Sequence, residues 1–109
     1  MQHFGSPFVL LMNMPRYHVT IQFEMNEDFM QAVPEHRNYV NELINKGVIE
    51  NYAVSLETQR SWITLNGESK DDVEEILEGS PLFKFWEYEI DELFVLDGQN
   101  YRLPELNPN

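Results

Sequence analysis

An α+β domain is what the sequence predicts, and three observations carry that prediction. Two runs near the ends of the chain alternate apolar and polar residues, two stretches carry helical spacing with caps, and a hairpin-like pair of strands lies between the helices. Taken in chain order, these elements read strand, helix, strand, strand, helix, strand.

The first strand is "YHVTIQFE", residues 17 to 24, with Tyr17, Val19, Ile21 and Phe23 on one side and His18, Thr20, Gln22 and Glu24 on the other. Asn26 then caps a helix whose positive end suits Glu27 and Asp28. Phe29, Val33, His36, Val40, Leu43 and Ile44 recur at helical spacing, and Gly47 supplies the stop after Lys46. Pro34 falls inside this span, so either the helix kinks there or, the reading adopted here, a separate first turn precedes a regular helix that begins at Pro34.

Residues 48 to 57, "VIENYAVSLE", and 60 to 66, "RSWITLN", form two strands joined tightly around Thr58 and Gln59. Ser69 and Asp72 then make a capping box for a short helix with Val73, Ile76 and Leu77 facing inward. Gly79 ends it and Pro81 keeps it from resuming. The run "SPLFKFWEYEID", residues 80 to 91, supplies the last strand: Trp86, Tyr88 and Ile90 point toward the helices, and Phe85, Glu87, Glu89 and Asp91 point away. This order is the ferredoxin-like βαββαβ arrangement, a four-stranded antiparallel sheet with two helices on one face. Residues 16–96 make this core, residues 1–15 an N-terminal extension, and residues 97–109 a polar, proline-containing tail. Met14 offers an internal start, which would make residues 1–13 an appendage able to cover an edge or a neighbouring subunit.

A single domain of 109 residues with 42% hydrophobic content can bury one modest core. Its 19 acidic and 7 basic residues, a formal charge of −12, exclude a nucleic-acid partner and oppose an anionic membrane surface. No cysteine is present, which removes thiol chemistry and disulfides, and the apolar run "PFVLLM" is too short for a membrane span and lacks the basic n-region and small-residue cleavage site of a secretory signal. The cytoplasm is the expected compartment. The sheet face turned away from the helices would carry His18, Thr20, Gln22, Glu24, Ala53, Ser55, Trp62, Thr64, Phe85, Glu87 and Glu89. A Trp and a Phe on an open face predict a homodimer built sheet to sheet.

Several segments are similar to known proteins. "YHVTIQF", "ELINKGVIE" and "SPLFKFWEYEID" resemble the opening strand, the helix end with its glycine turn, and the Pro-Leu-Phe motif with alternating acids of the muconolactone isomerase family of dimeric α/β barrels. The resemblance spans roughly residues 16 to 96 and implies a homodimer and a cofactor-free proton shift in a lactone or related carbonyl compound. The isomerases carry an acidic residue eleven positions before the turn glycine, where this chain has His36. "HRNYVNELINKG" resembles the YciI-like barrels, which place a histidine there and pair it with an Asp-Pro aspartate. With Ser80 and Pro81 at that place, this chain is expected to leave the histidine's partner missing.

His36 is the candidate catalytic residue, since an imidazole titrating near neutrality can remove and return a proton beside a carbonyl. The other reading is a buried histidine satisfied by a tyrosine hydroxyl or a backbone carbonyl. Tyr52, Trp86 and Tyr88 are expected to shape a pocket for a small organic ligand near it. His18 and Trp62 are candidate binding residues on the opposite sheet face, where the reading preferred for His18, among Gln22, Trp62 and Glu87, is a polar residue inside a dimer interface. Glu87, Glu89 and Asp91 step about 6.6 Å along the strand and form a solvated or interface row, not a metal site. No cofactor or metal is expected, for the sequence has no glycine-rich phosphate loop, no HExxH and no GxSxG. The rival classes are a non-catalytic binding or oligomerisation module and a cofactor-independent monooxygenase, a chemistry also found on this fold.

Overall fold

The computed structural model describes residues 14–97; the N-terminal appendage 1–13 and most of the tail lie outside the described residues. Strand β1 (Arg16–Phe23) leads into helix α1 (Glu27–Asn45), the hairpin β2 (Ile49–Ser55) and β3 (Arg60–Asn66), helix α2 (Lys70–Glu78), a 3₁₀ turn over Phe83–Phe85 and strand β4 (Trp86–Leu93). All neighbours in the sheet run antiparallel in the order β2-β3-β1-β4, the ferredoxin-like topology.

Helix α1 starts where Asn26 accepts the Phe29 N–H at 2.8 Å, with Glu27 and Asp28 at its positive end. It stops in a Schellman motif. Gly47 takes φ 80°, the Val48 N–H reaches the Leu43 carbonyl and the Gly47 N–H reaches that of Ile44. The expectation of a separate first turn before Pro34 is corrected, because α1 runs unbroken from Glu27 to Asn45 with Pro34 inside it. The proline leaves the Met30 carbonyl without an N–H donor, and both residues are exposed, so water can satisfy that oxygen.

Helix α2 begins with Ser69 accepting the Asp72 N–H at 3.1 Å, while the Asp72 carboxylate accepts the N–H of Glu68, one residue before the expected partner. Gly79 closes the helix at φ −71°, so its lack of a side chain answers a different need. A Cβ there would stand 2.2 Å from the Tyr39 hydroxyl, which donates to the Ile76 carbonyl at 2.7 Å. That bond caps α2 from α1 and ties the two helices together.

Between helices and sheet lies the core, centred on Val19, Ile21, Val40, Leu65 and Val73. Alternation along β1 and β3 puts Tyr17, Val19, Ile21, Phe23, Ile63 and Leu65 on that face, as their cross-strand pairing requires. On the other face His18 sits opposite Thr64 and Asp91, Thr20 opposite Trp62 and Glu89, and Gln22 opposite Arg60 and Glu87. One aromatic assigned there belongs elsewhere: Phe85 precedes β4, in the 3₁₀ turn, and meets Phe29 of α1 edge to face at 5.6 Å between centroids. The turn breaks strand alternation before Trp86, and burial against α1 decides the side.

Candidate functional site

A cavity of about 270 Å³ opens between the first half of α1 and the ends of β1 and β2. Its walls are apolar: Phe23, Phe29, Val33, Leu82 and Trp86 inside, and Met25, Met30, Val54 and Leu56 toward the mouth. Met30 and Leu56 are 51% and 66% exposed, so the mouth shows water an apolar rim. The polar groups on the wall come from His36, Tyr52, Ser61 and Arg37.

His36 reaches the site because it shares the inward face of α1 with Phe29 and Val40, and the residue is 2% exposed. Both ring nitrogens are engaged. Nδ1 lies 2.7 Å from the Ser80 hydroxyl, and Nε2 lies 2.7 Å from the Tyr52 hydroxyl. The Trp86 ring meets the imidazole edge to face at 5.8 Å. Burial, and secondarily the neighbouring Arg37 charge, lowers the His36 pKa from 6.5 to about 4, so the ring is neutral at pH 7 rather than titrating near neutrality. Burial also raises the Tyr52 pKa, against smaller opposing effects of Ser61 and Arg37, which keeps its hydroxyl protonated.

Ser80 was expected to leave the histidine without a partner on that side; instead its hydroxyl takes the place. The turn after α2 holds it there, because Ser80 Oγ accepts the Leu82 N–H at 3.0 Å and the Ser80 N–H bonds the Leu77 carbonyl. Serine cannot supply the negative charge that an aspartate would, so nothing at Nδ1 offsets the desolvation of an imidazolium. Ser61 is held in turn by donating to the Ala53 carbonyl at 3.0 Å. Arg37 lies over the Tyr52 ring at 5.9 Å, at the outer end of this polar corner.

Of the residues named from sequence, His36, Tyr52 and Trp86 come together on the cavity wall. Tyr88 shares the helix-facing side of the sheet but does not line the cavity. Its hydroxyl donates to Glu74 of α2, a bond that with burial pushes its pKa up to about 12. His18 and Trp62 lie on the opposite face, where His18 Nδ1 is 3.4 Å from the Thr64 hydroxyl. Thr64 and Asp91, rather than Gln22, Trp62 and Glu87, are its direct cross-strand neighbours. Sequence reading missed Ser80, Ser61, Arg37 and the methionines of the mouth. The alternation of β3 could have found Ser61, which shares a face with Ile63 and Leu65.

No protein-family model matches the chain, and no curated protein matches it. Among solved structures, muconolactone isomerase superposes with a TM-score of 0.65 at 15% identity, covering 83% of this chain and 99% of its own. MtbAldR superposes with a TM-score of 0.55 at 7% identity, covering 95% of this chain and 67% of its own. At such identities the likeness speaks to architecture alone, and it agrees with the strand order found above. The chain has a muconolactone isomerase-like, ferredoxin-like fold.

Proposed function

We propose that the protein binds a small, largely apolar carbonyl compound in the cavity beside His36 and shifts a proton next to that carbonyl without a cofactor, as a muconolactone isomerase-like enzyme. The observation that carries this reading is an apolar chamber with one polar corner, where the His36 imidazole and Tyr52 hydroxyl stand 2.7 Å apart. Filled at the density of a protein interior, about 270 Å³ admits roughly 200 Å³ of molecule, room for two fused rings. Trp86 and Phe29 supply flat walls for such rings, and the His36–Tyr52 pair faces the oxygen. We further propose that two copies associate through the open sheet face, with Trp62 at the interface.

The test uses 2-tetralone, a bicyclic ketone with exchangeable protons beside its carbonyl. In D2O the protein is expected to speed deuterium uptake at those positions at least tenfold over buffer, followed by NMR. His36→Ala is expected to return the rate to that of buffer. A wild-type rate equal to that of buffer contradicts the enzyme reading.

A second reading is favoured by the same histidine's saturation. With both nitrogens bonded and its pKa lowered to about 4, His36 also suits a non-catalytic binding module in which it is structural. Such a module would bind the ketone and leave its exchange rate untouched.

A further inference from the structure

Resting on the reading that a carbonyl compound occupies the cavity, we infer that the ligand oxygen is met by the Tyr52 hydroxyl as a hydrogen-bond donor, while His36 acts behind it as a positioning residue whose tautomer is set by Ser80. Hydrogen-bond accounting along one buried chain of groups leads there. Among the described residues, Ser80 Oγ has two partners: the Leu82 N–H, which it accepts at 3.0 Å, and His36 Nδ1 at 2.7 Å. The serine is 6% exposed, and a buried hydroxyl proton left without an acceptor is costly.

Nδ1 is therefore the acceptor of the Ser80 proton, and the imidazole hydrogen sits on Nε2. Nε2–H in turn donates to the Tyr52 oxygen, 2.7 Å away. The Tyr52 proton is thereby directed away from His36. Ser61, beside it on the wall, has its own proton committed to the Ala53 carbonyl, and the Tyr52 proton is left for an acceptor atom in the cavity. A ligand oxygen can take it. Each donor in the order Ser80, His36, Tyr52 polarises the next, which strengthens the last bond to the ligand.

The opposite order, with Nδ1–H donating to Ser80 and Tyr52 donating to Nε2, would strand the serine proton and present the cavity with an acceptor. The two orders therefore select different ligands. Donation by Tyr52 favours a neutral acceptor such as a ketone, and the proton beside the polarised carbonyl passes to water at the open mouth of the cavity and is returned from it. No bond is made or broken in this contact; it orients and polarises a carbonyl. Arg37 stands outside it, at the rim, and leaves the inner end uncharged.

The experiment compares tetralin with 2-tetralone, equal in ring size and different in one oxygen, through the fluorescence of Trp86 in a Trp62→Phe background. The ketone is expected to bind about tenfold more tightly than the hydrocarbon, the upper range for one neutral hydrogen bond. Tyr52→Phe is expected to erase that preference and to leave tetralin binding unchanged, which also certifies the fold of the variant. Nitrogen NMR of ¹⁵N-labelled His36 in the ligand-free protein is expected to show hydrogen on Nε2 and a bare Nδ1, and Ser80→Ala to mix the two tautomers.

Hydrogen found on Nδ1, or a ketone preference that survives Tyr52→Phe, overturns the inference while the cavity reading stands. Failure of wild type to bind either compound overturns the reading itself.

Discussion

At the scale of single residues, His36 couples the candidate site to stability. Its folded pKa of about 4 lies below the ordinary 6.5, so the unfolded chain binds the proton more readily. The histidine therefore withholds nothing from stability above about pH 6.5 and costs progressively more as pH falls toward 4. The full effect is about 2 kcal/mol after allowance for solvent screening near the cavity. Urea midpoints measured from pH 7 to 4 are expected to fall more steeply in wild type than in His36→Gln, whose side chain stays neutral. Parallel slopes for the two proteins would show that the ring titrates normally. His36 was visible in the sequence because it interrupts an apolar stripe, and Tyr52 because it faces Ile63 across the hairpin. Ser80 was not, since a serine before a proline reads as turn chemistry until the fold brings it from 44 positions away to Nδ1.

At the scale of elements, local signals were legible wherever one residue decides a backbone outcome. Asn26, Gly47 and Ser69 cap their helices as their chemistry dictates. The errors arose where packing overrode a local rule. Pro34 does not start α1, because the apolar stripe from Phe29 onward holds the helix through it, and Phe85 turns inward against Phe29. Gln59, a non-glycine residue at φ 54°, was equally hidden. Its carbonyl accepts the Phe23 N–H and its side chain accepts that of Met25, contacts that hold the hairpin loop in the left-handed region. Gly79 yields a sharper prediction at this scale. Gly79→Ala sets a methyl into the Tyr39 ring and is expected to lower stability by about 1–3 kcal/mol in chemical denaturation, with Gly79→Ala/Tyr39→Leu less destabilised than additivity of the single changes predicts. Additive losses would mean that the two residues do not press on one another.

At the scale of the whole molecule, the two faces of one sheet have different tasks. The inner face, closed by α1 and α2, holds the core and the cavity; the outer face carries Trp62 amid Arg60, Glu87, Glu89 and Asp91 and is the proposed dimer surface. Trp62→Lys is expected to halve the mass seen by light scattering, whereas an unchanged mass would move the interface elsewhere. His18, beside Asp91 on that face, belongs to the same surface and not to the cavity. The central claim is that the cavity between α1 and the sheet receives a small carbonyl compound. Met25 and Met30 stand at its mouth, so ¹³C-methyl methionine spectra during titration with 2-tetralone test that claim most directly. The methyl signals of Met25 and Met30 are expected to shift in a saturable manner; stationary signals from both would contradict it.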